Sequence, residues 1–117
     1  MQSIKLILVS MSIEQAYKIL PHEFVLACHT IKVIVEEFVY DSSENSLYGD
    51  WNDVTCTIRV ATHVEEEGEH ELTEEQIRNS FYHEMFHAFI FFSGLKQDEM
   101  IVQAFANFLR EYETSKK

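Results

Sequence analysis

The sequence predicts a single small α+β domain, in which a short twisted β-sheet packs on a central helix and a second helix follows. Two segments alternate apolar and polar residues as half-buried strands do, and a capped, mostly apolar helical segment comes after them. A further helical segment follows that one. With 117 residues, of which 46% are hydrophobic, the chain has room for one core, so we expect residues 1–117 to form one domain.

The composition excludes several classes of function. The chain has only three glycines and one proline, and its apolar content is that of a globular protein, so we expect neither long linkers nor disorder. Nine Lys and Arg residues against twenty Asp and Glu residues give a formal net charge of −11. Such a chain repels a phosphate backbone and an anionic lipid surface, so we expect no nucleic-acid partner and no membrane partner.

The cysteines and the start of the chain predict a cytoplasmic protein. Cys28 and Cys56 form neither a C-x-x-C motif nor a disulfide framework, and we expect both to be reduced, largely buried thiols. Residues 1–10 are compatible with either a strand or a helix, and Lys5 interrupts their apolar stretch without a following signal-cleavage pattern. No segment reaches the roughly 20 apolar residues that span a bilayer.

The first half of the chain is predicted to contain one short helix and two strands. Apolar residues at helical spacing predict a helix over residues 12–20, which Pro21 would end. Period-two alternation predicts strands over residues 31–40 and 56–61. Residues 41–53 between them are rich in Ser, Asn, Asp and Gly, as a long hairpin loop would be. We therefore expect the two strands to pair.

The second half begins with an acidic stretch, residues 65–71, which we expect to be a solvated surface loop. The helix that follows has clear start and stop signals. Thr73 and Gln76 match a capping box, and Gly94 provides a helix stop. Apolar residues surround almost the whole of this helix, so it should lie buried at the centre of the domain. Asp98 is a plausible N-cap for the next helix.

The central helix contains the sequence His83-Glu84-Met85-Phe86-His87, an H-E-x-x-H motif. The four-residue spacing places both imidazoles on one helical face, where two nitrogens can bind one metal ion. Glu84 projects at an adjacent angle, as a general base requires. Burial of two imidazoles and a carboxylate is costly unless they are paired, and a divalent cation pairs all three. We predict His83 and His87 as metal ligands and Glu84 as the catalytic base.

A catalytic zinc site needs a third protein ligand, and the next helix offers two candidates. Glu99 lies in its first turn, where an antiparallel return can bring the carboxylate against the two histidines. Asp98 is the alternative, because one residue of this pair is expected to cap the helix. Gln103 lies one turn beyond Glu99 and could hydrogen-bond to a ligand.

Together, residues 83–87 and residues 98–109 resemble the minimal gluzincins, compact metallopeptidase-like proteins often encoded by phages and mobile elements and akin to the IrrE-type peptidase domain. The strand-rich residues 31–62 resemble the sheet that such domains place over the active-site helix. The resemblance implies a small zincin-like fold whose second helix carries the glutamate ligand. It also implies Zn²⁺ as the cofactor, His83, His87 and Glu99 as its ligands, and Glu84 as the catalytic base.

The expected function is hydrolysis of peptide bonds in a peptide or protein substrate by a metal-activated water, with Glu84 as the general base. The substrate would lie as an extended strand against an edge of the sheet, which we assign to residues 56–62. The alternative is a catalytically weak or inactive zinc-binding interaction or regulatory module of the same fold. A deformylase-type site with Cys28 or Cys56 as a ligand and a metal-free domain are further alternatives. Histidine and carboxylate ligands also accept manganese and cobalt.

The aromatic residues outside the motif are predicted to serve packing. Trp51 is expected to be a loop anchor that packs on the sheet, and Phe89, Phe91 and Phe92 are expected to lie in the core. If that run of phenylalanines were exposed, it would indicate a dimer or partner surface, and the oligomeric state is left open.

Overall fold

The computed structural model describes residues 11–116 and has the predicted α+β architecture, with three helices and small mixed sheets in that range. The helices are α1 (Ile13–Ile19), α2 (Glu74–Ser93) and α3 (Glu99–Ser115). The strands are β1 (Glu23–Leu26), β2 (His29–Glu36), β3 (Val39–Tyr40), β4 (Ser46–Leu47), β5 (Gly49–Asn52), β6 (Thr57–Ala61), β7 (His63–Glu65) and β8 (Glu69–Glu71). The expectation for residues 1–10 concerns residues outside the described range.

The main sheet has four strands in the order β1-β2-β6-β5. The predicted strands β2 and β6 do pair, but they run parallel, with Val33 opposite Ile58, so the predicted hairpin between them is wrong. Residues 41–53 are not one long loop, because they contain both β4 and β5. The hairpin that leads into β6 starts from β5, which pairs with β6 antiparallel.

Strand β6 is a central strand, so the assignment of residues 56–62 to the sheet edge is wrong. It lies between β2 and β5, and Ile58, Val60 and Ala61 are fully buried, as expected for a strand with a neighbour on each side. The edge strand next to β6 is β5, whose residues are half-buried or exposed. The predicted strand over residues 31–40 is also divided, because β3 leaves the main sheet and pairs with β4.

The helix boundaries agree closely with the sequence signals. Thr73 and Gln76 form the predicted reciprocal capping box, and Gly94 ends α2 in the left-handed conformation with φ 71°. Asp98 caps α3 as predicted. Helix α2 packs against β5 and β6 on one side and against α3 on another, so it is the central element between the sheet and the last helix.

The apolar core lies between the sheet and α2. Ile31 and Ile58 from the sheet meet Ile77 and Phe81 from α2, and Leu72 closes the core just before the helix begins. This arrangement confirms that the motif helix is a buried central helix.

The acidic residues 65–71 are exposed, as expected for a solvated segment. They are more ordered than a loop, however, because β7 and β8 pair antiparallel around a turn at Glu67 and Gly68. In the described range, no helix is long and apolar enough to cross a membrane.

Both cysteines are free, but the expectation that they are largely buried is wrong. Cys28 is exposed, and it lies with a positive φ of 66° in the tight turn between β1 and β2. A turn between two strands projects into solvent, which explains the exposure. Cys56 is half-buried beside the start of β6.

The aromatic residues follow the prediction only in part. Trp51 lies in β5 rather than in a loop, and its ring packs against Phe91 and Phe92. Phe92 packs on the core, whereas Phe89 and Phe91 are each 43% exposed, so their assignment to the core is wrong. Phe91 lines a cleft beside α2, and Phe89 projects from a different part of the helix surface.

Candidate metal centre

Two histidines of α2 and one glutamate of α3 meet at one point. His83 and His87 lie one turn apart on α2, and their Nε2 atoms are 2.5 Å and 3.0 Å from the two carboxylate oxygens of Glu99. The three ligand atoms all lie within 4.8 Å of one another. The geometry therefore brings together the three residues that the sequence singles out, in an arrangement that can hold a metal ion.

The connection between α2 and α3 explains why Glu99, rather than Asp98, reaches the histidines. Gly94 ends α2, and only a short loop separates it from α3, which packs back against α2. The Asp98 carboxylate accepts hydrogen bonds from the backbone N–H groups of Met100 and Ile101, so it is engaged as the helix cap. Glu99, the next residue, is free to turn its carboxylate toward the two imidazoles.

Two glutamines hydrogen-bond to the imidazole nitrogens that do not face Glu99. His83 Nδ1 lies 2.9 Å from Gln103 Oε1, and His87 Nδ1 lies 2.8 Å from Gln97 Oε1. Both glutamines are also fixed by their amide nitrogens. Gln97 Nε2 donates to the His87 carbonyl oxygen, and Gln103 Nε2 donates to Asn107 Oδ1. Because a carbonyl oxygen only accepts, this arrangement assigns an N–H to each Nδ1.

This tautomer has a direct electrostatic consequence. In a neutral imidazole that carries its hydrogen on Nδ1, Nε2 presents a lone pair, and here both lone pairs point at the Glu99 carboxylate. Three acceptors then face one another and repel unless a cation lies among them. Two imidazole nitrogens and one carboxylate oxygen also match the donor set of zinc sites that keep an open fourth position. The side chains therefore fit a divalent metal ion.

Glu84 lies beside this cluster but is not one of the convergent ligands. Its side chain is only 8% exposed, and burial raises the pKa of its carboxyl to about 8, with smaller contributions from the negative charges of Asp50 and Glu99. Edge strand β5 comes very close at Gly49. A Cβ there would lie 2.7 Å from the Arg59 carbonyl oxygen and 3.4 Å from Glu84 Cγ, so glycine permits this close approach.

The cluster opens into a cleft of about 1040 Å³. Residues 46–51 line one wall, α2 contributes His83, Glu84 and Phe91, and α3 contributes Glu99 and Gln103. The wall formed by β5 is braced from the neighbouring strand, because Arg59 donates from Nε to Asp50 Oδ1 at 2.9 Å and also bonds the second carboxylate oxygen. A metal ion at the cluster would therefore lie at the surface of an open cleft rather than in a closed site.

Sequence reasoning missed two residues that shape this site. Gln97 lies in the loop before α3, where no periodicity marks a side chain that reaches back to His87. Gly49 lies in a segment that we interpreted as loop, and its role depends on a strand pairing that the sequence does not reveal. The only available signal was the rarity of glycine, since the chain has three.

Comparison with protein families, with curated proteins and with solved structures gives no significant match to this chain. The resemblance to minimal gluzincins therefore stays a prediction that rests on the motif residues themselves.

We expect Gln103→Met to weaken metal binding by about 10–100-fold, because His83 then loses the acceptor that fixes its ring and its tautomer. Competition of the protein with a chromogenic chelator at neutral pH measures this change. Gln103→Glu is the matched control, since it keeps an acceptor at the same reach and should retain tight binding. Equal affinity of Gln103→Met and the wild type would show that Gln103 does not position the ligand.

Proposed function

We propose that this protein is a zinc-dependent metallopeptidase. The observation that carries the proposal is the convergence of His83, His87 and Glu99 on one point, with their acceptor atoms facing one another beside the buried carboxyl of Glu84. A purely structural zinc site has four protein ligands and no need for an adjacent buried carboxyl. An open site beside a general base is instead the arrangement that metal-assisted hydrolysis requires.

A zinc ion bound there would polarise the scissile carbonyl and lower the pKa of its water toward about 7. Glu84 would accept the proton of the attacking water and later deliver it to the leaving amine. Its buried setting suits both roles, because a carboxyl with a pKa near 8 holds a proton more readily than an exposed one. The positive charge of a neighbouring cation would bring this pKa down toward the range of a base.

The cleft gives a peptide substrate a place to bind. In the described part of the chain, no strand pairs with the outer edge of β5, and residues 49–51 of this strand line the cleft. We propose that an extended peptide pairs with this edge through its backbone, so that its side chains meet the cleft walls. The rings of Trp51 and Phe91, with centroids 6.2 Å apart, supply the aromatic surface of those walls.

Metal content is the first test of this proposal. We expect about one zinc per chain in protein kept free of chelators, measured by elemental mass spectrometry. His83→Ala and Glu99→Ala should each lose it, because two ligands alone hold zinc weakly. Asp98→Asn is the matched control, since asparagine still caps α3 and the neighbouring ligand stays in place.

Two results would contradict the proposed site. Absence of stoichiometric metal from the wild-type protein would leave the histidine pair as a packing feature. Loss of zinc in Asp98→Asn together with its retention in Glu99→Ala would move the ligand role from Glu99 to its neighbour. Circular dichroism of each variant separates loss of metal from loss of fold.

A further inference from the structure

Helix α3 exposes an apolar stripe on the side that faces away from the cleft. The stripe consists of Ile101, Phe105, Phe108 and Tyr112, whose side chains are 56%, 39%, 69% and 55% exposed. In an ordinary amphipathic helix the apolar residues face the protein, whereas α3 buries mainly the small residues Val102 and Ala106 and carries its largest apolar side chains outside.

The stripe is a substantial apolar patch. If a large side chain has about 200 Å² of surface, its four residues expose on the order of 440 Å² together. That is the size of the largest patch on a typical monomer, which often serves a function, and it is about half of the roughly 800 Å² that each partner buries in a standard interface. None of the four carries a charge, although the chain as a whole has a net charge of −11.

The spacing of the stripe indicates which partner it fits. Its four residues are separated by four, three and four positions, so the pattern reads the same in both directions along the helix. When two copies of α3 pack antiparallel, Ile101 lies against the partner's Tyr112 and Phe105 lies against the partner's Phe108. Self-complementarity of this kind is what a twofold interface between identical chains requires.

We propose that two copies of this chain form a dimer by antiparallel packing of their α3 stripes. The stripe residues meet in two equivalent Ile–Tyr contacts and two equivalent Phe–Phe contacts around the twofold axis. Because each chain is strongly acidic, added salt screens the repulsion between the two copies and strengthens the dimer.

The dimer leaves the candidate metal centre open. On a helix with about 100° per residue, Glu99 and Gln103 project about 150–170° away from the centre of the stripe. The two copies therefore meet on one side of α3 while the cleft lies on the other. The inference is independent of the proposed peptidase activity, and either can fail without the other.

Sedimentation velocity of the full chain at low to high micromolar concentration tests the interface. We expect the wild type to sediment as a dimer, with or without a chelator, and Phe108→Glu to weaken the dimer by at least about a hundredfold. Val54→Glu is the matched control, because Val54 is 88% exposed in the turn between β5 and β6, away from the stripe. This control should remain dimeric, and thermal melts show whether each variant is folded.

Mixing two variants tests the register. Phe105→Lys and Phe108→Glu should each be monomeric alone, but their mixture should form a heterodimer with one Lys–Glu contact and one Phe–Phe contact. Because Phe105 also stacks on Phe86 at 4.2 Å, the pair Ile101→Lys and Tyr112→Glu serves as a second test of the same register. A monomeric wild type, a dimer that survives Phe108→Glu, or failure of both mixtures to associate would overturn the proposal.

Discussion

Replacement of Glu84 by glutamine is expected to abolish peptide hydrolysis while zinc content stays at the wild-type level. Glutamine has nearly the same shape but cannot accept the proton of the attacking water, and loss of a general base typically costs about 10²–10⁴-fold in rate. Glu84 lies outside the convergent set of His83, His87 and Glu99, so metal binding does not depend on it. Cleavage of a mixed peptide library, followed by mass spectrometry, gives both the substrates and the rate.

The comparison of variants separates three explanations. Glu99→Ala should lose zinc and hydrolysis together, whereas Glu84→Gln should lose hydrolysis alone. If Glu84→Gln cleaves peptides at the wild-type rate, the assignment of the base is wrong. If the wild type binds zinc but cleaves nothing, the alternative of a zinc-bearing interaction or regulatory module is favoured instead.

The features that could be predicted from the sequence are those set by local chemistry. The capping box of Thr73 and Gln76, the stop at Gly94 and the cap at Asp98 each depend on hydrogen bonds within a few residues, and all three are present. The histidine pair follows the same logic, since the helical repeat alone places positions 83 and 87 on one face. Glu99 could be selected because only a short connection separates the two helices.

The order of the strands could not be predicted, because alternation reveals which face of a strand is buried but not its neighbour. Strands β2 and β6 both alternate clearly, and the shortest connection suggested a hairpin between them. Strand β5 was hidden, since Gly49, Asp50 and Asn52 are residues that turns favour. In the structure Asp50 is held by Arg59 across the strand pair, and Gly49 allows contact with the helix. The same features that suit β5 to the cleft edge made it resemble a loop.

The metal-free protein is expected to lose stability as the pH rises, and Glu84→Gln should remove much of that loss. The carboxyl of Glu84 has a pKa of about 8 in the folded protein, against an ordinary value of 4.5, because burial penalises the charged form. Below about pH 4.5 the carboxyl is protonated in both the folded and the unfolded protein, so it does not change the free energy of unfolding. Between the two values the unfolded chain releases the proton while the folded protein holds it, so the free energy of unfolding falls as the pH rises.

The full penalty is reached above pH 8 and is on the order of 5 kcal/mol. Urea unfolding in the presence of a chelator, at about pH 5 and about pH 9, measures it. Wild type and Glu84→Gln should be similarly stable at the lower pH, and the variant should be the more stable at the higher pH. Identical pH dependence of the two proteins would show that Glu84 ionises at no cost. Zinc should reduce this difference in stability at high pH, because a cation at the adjacent ligands offsets the negative charge of Glu84. The ionised carboxyl that destabilises the metal-free protein should therefore be tolerated in the zinc-bound protein.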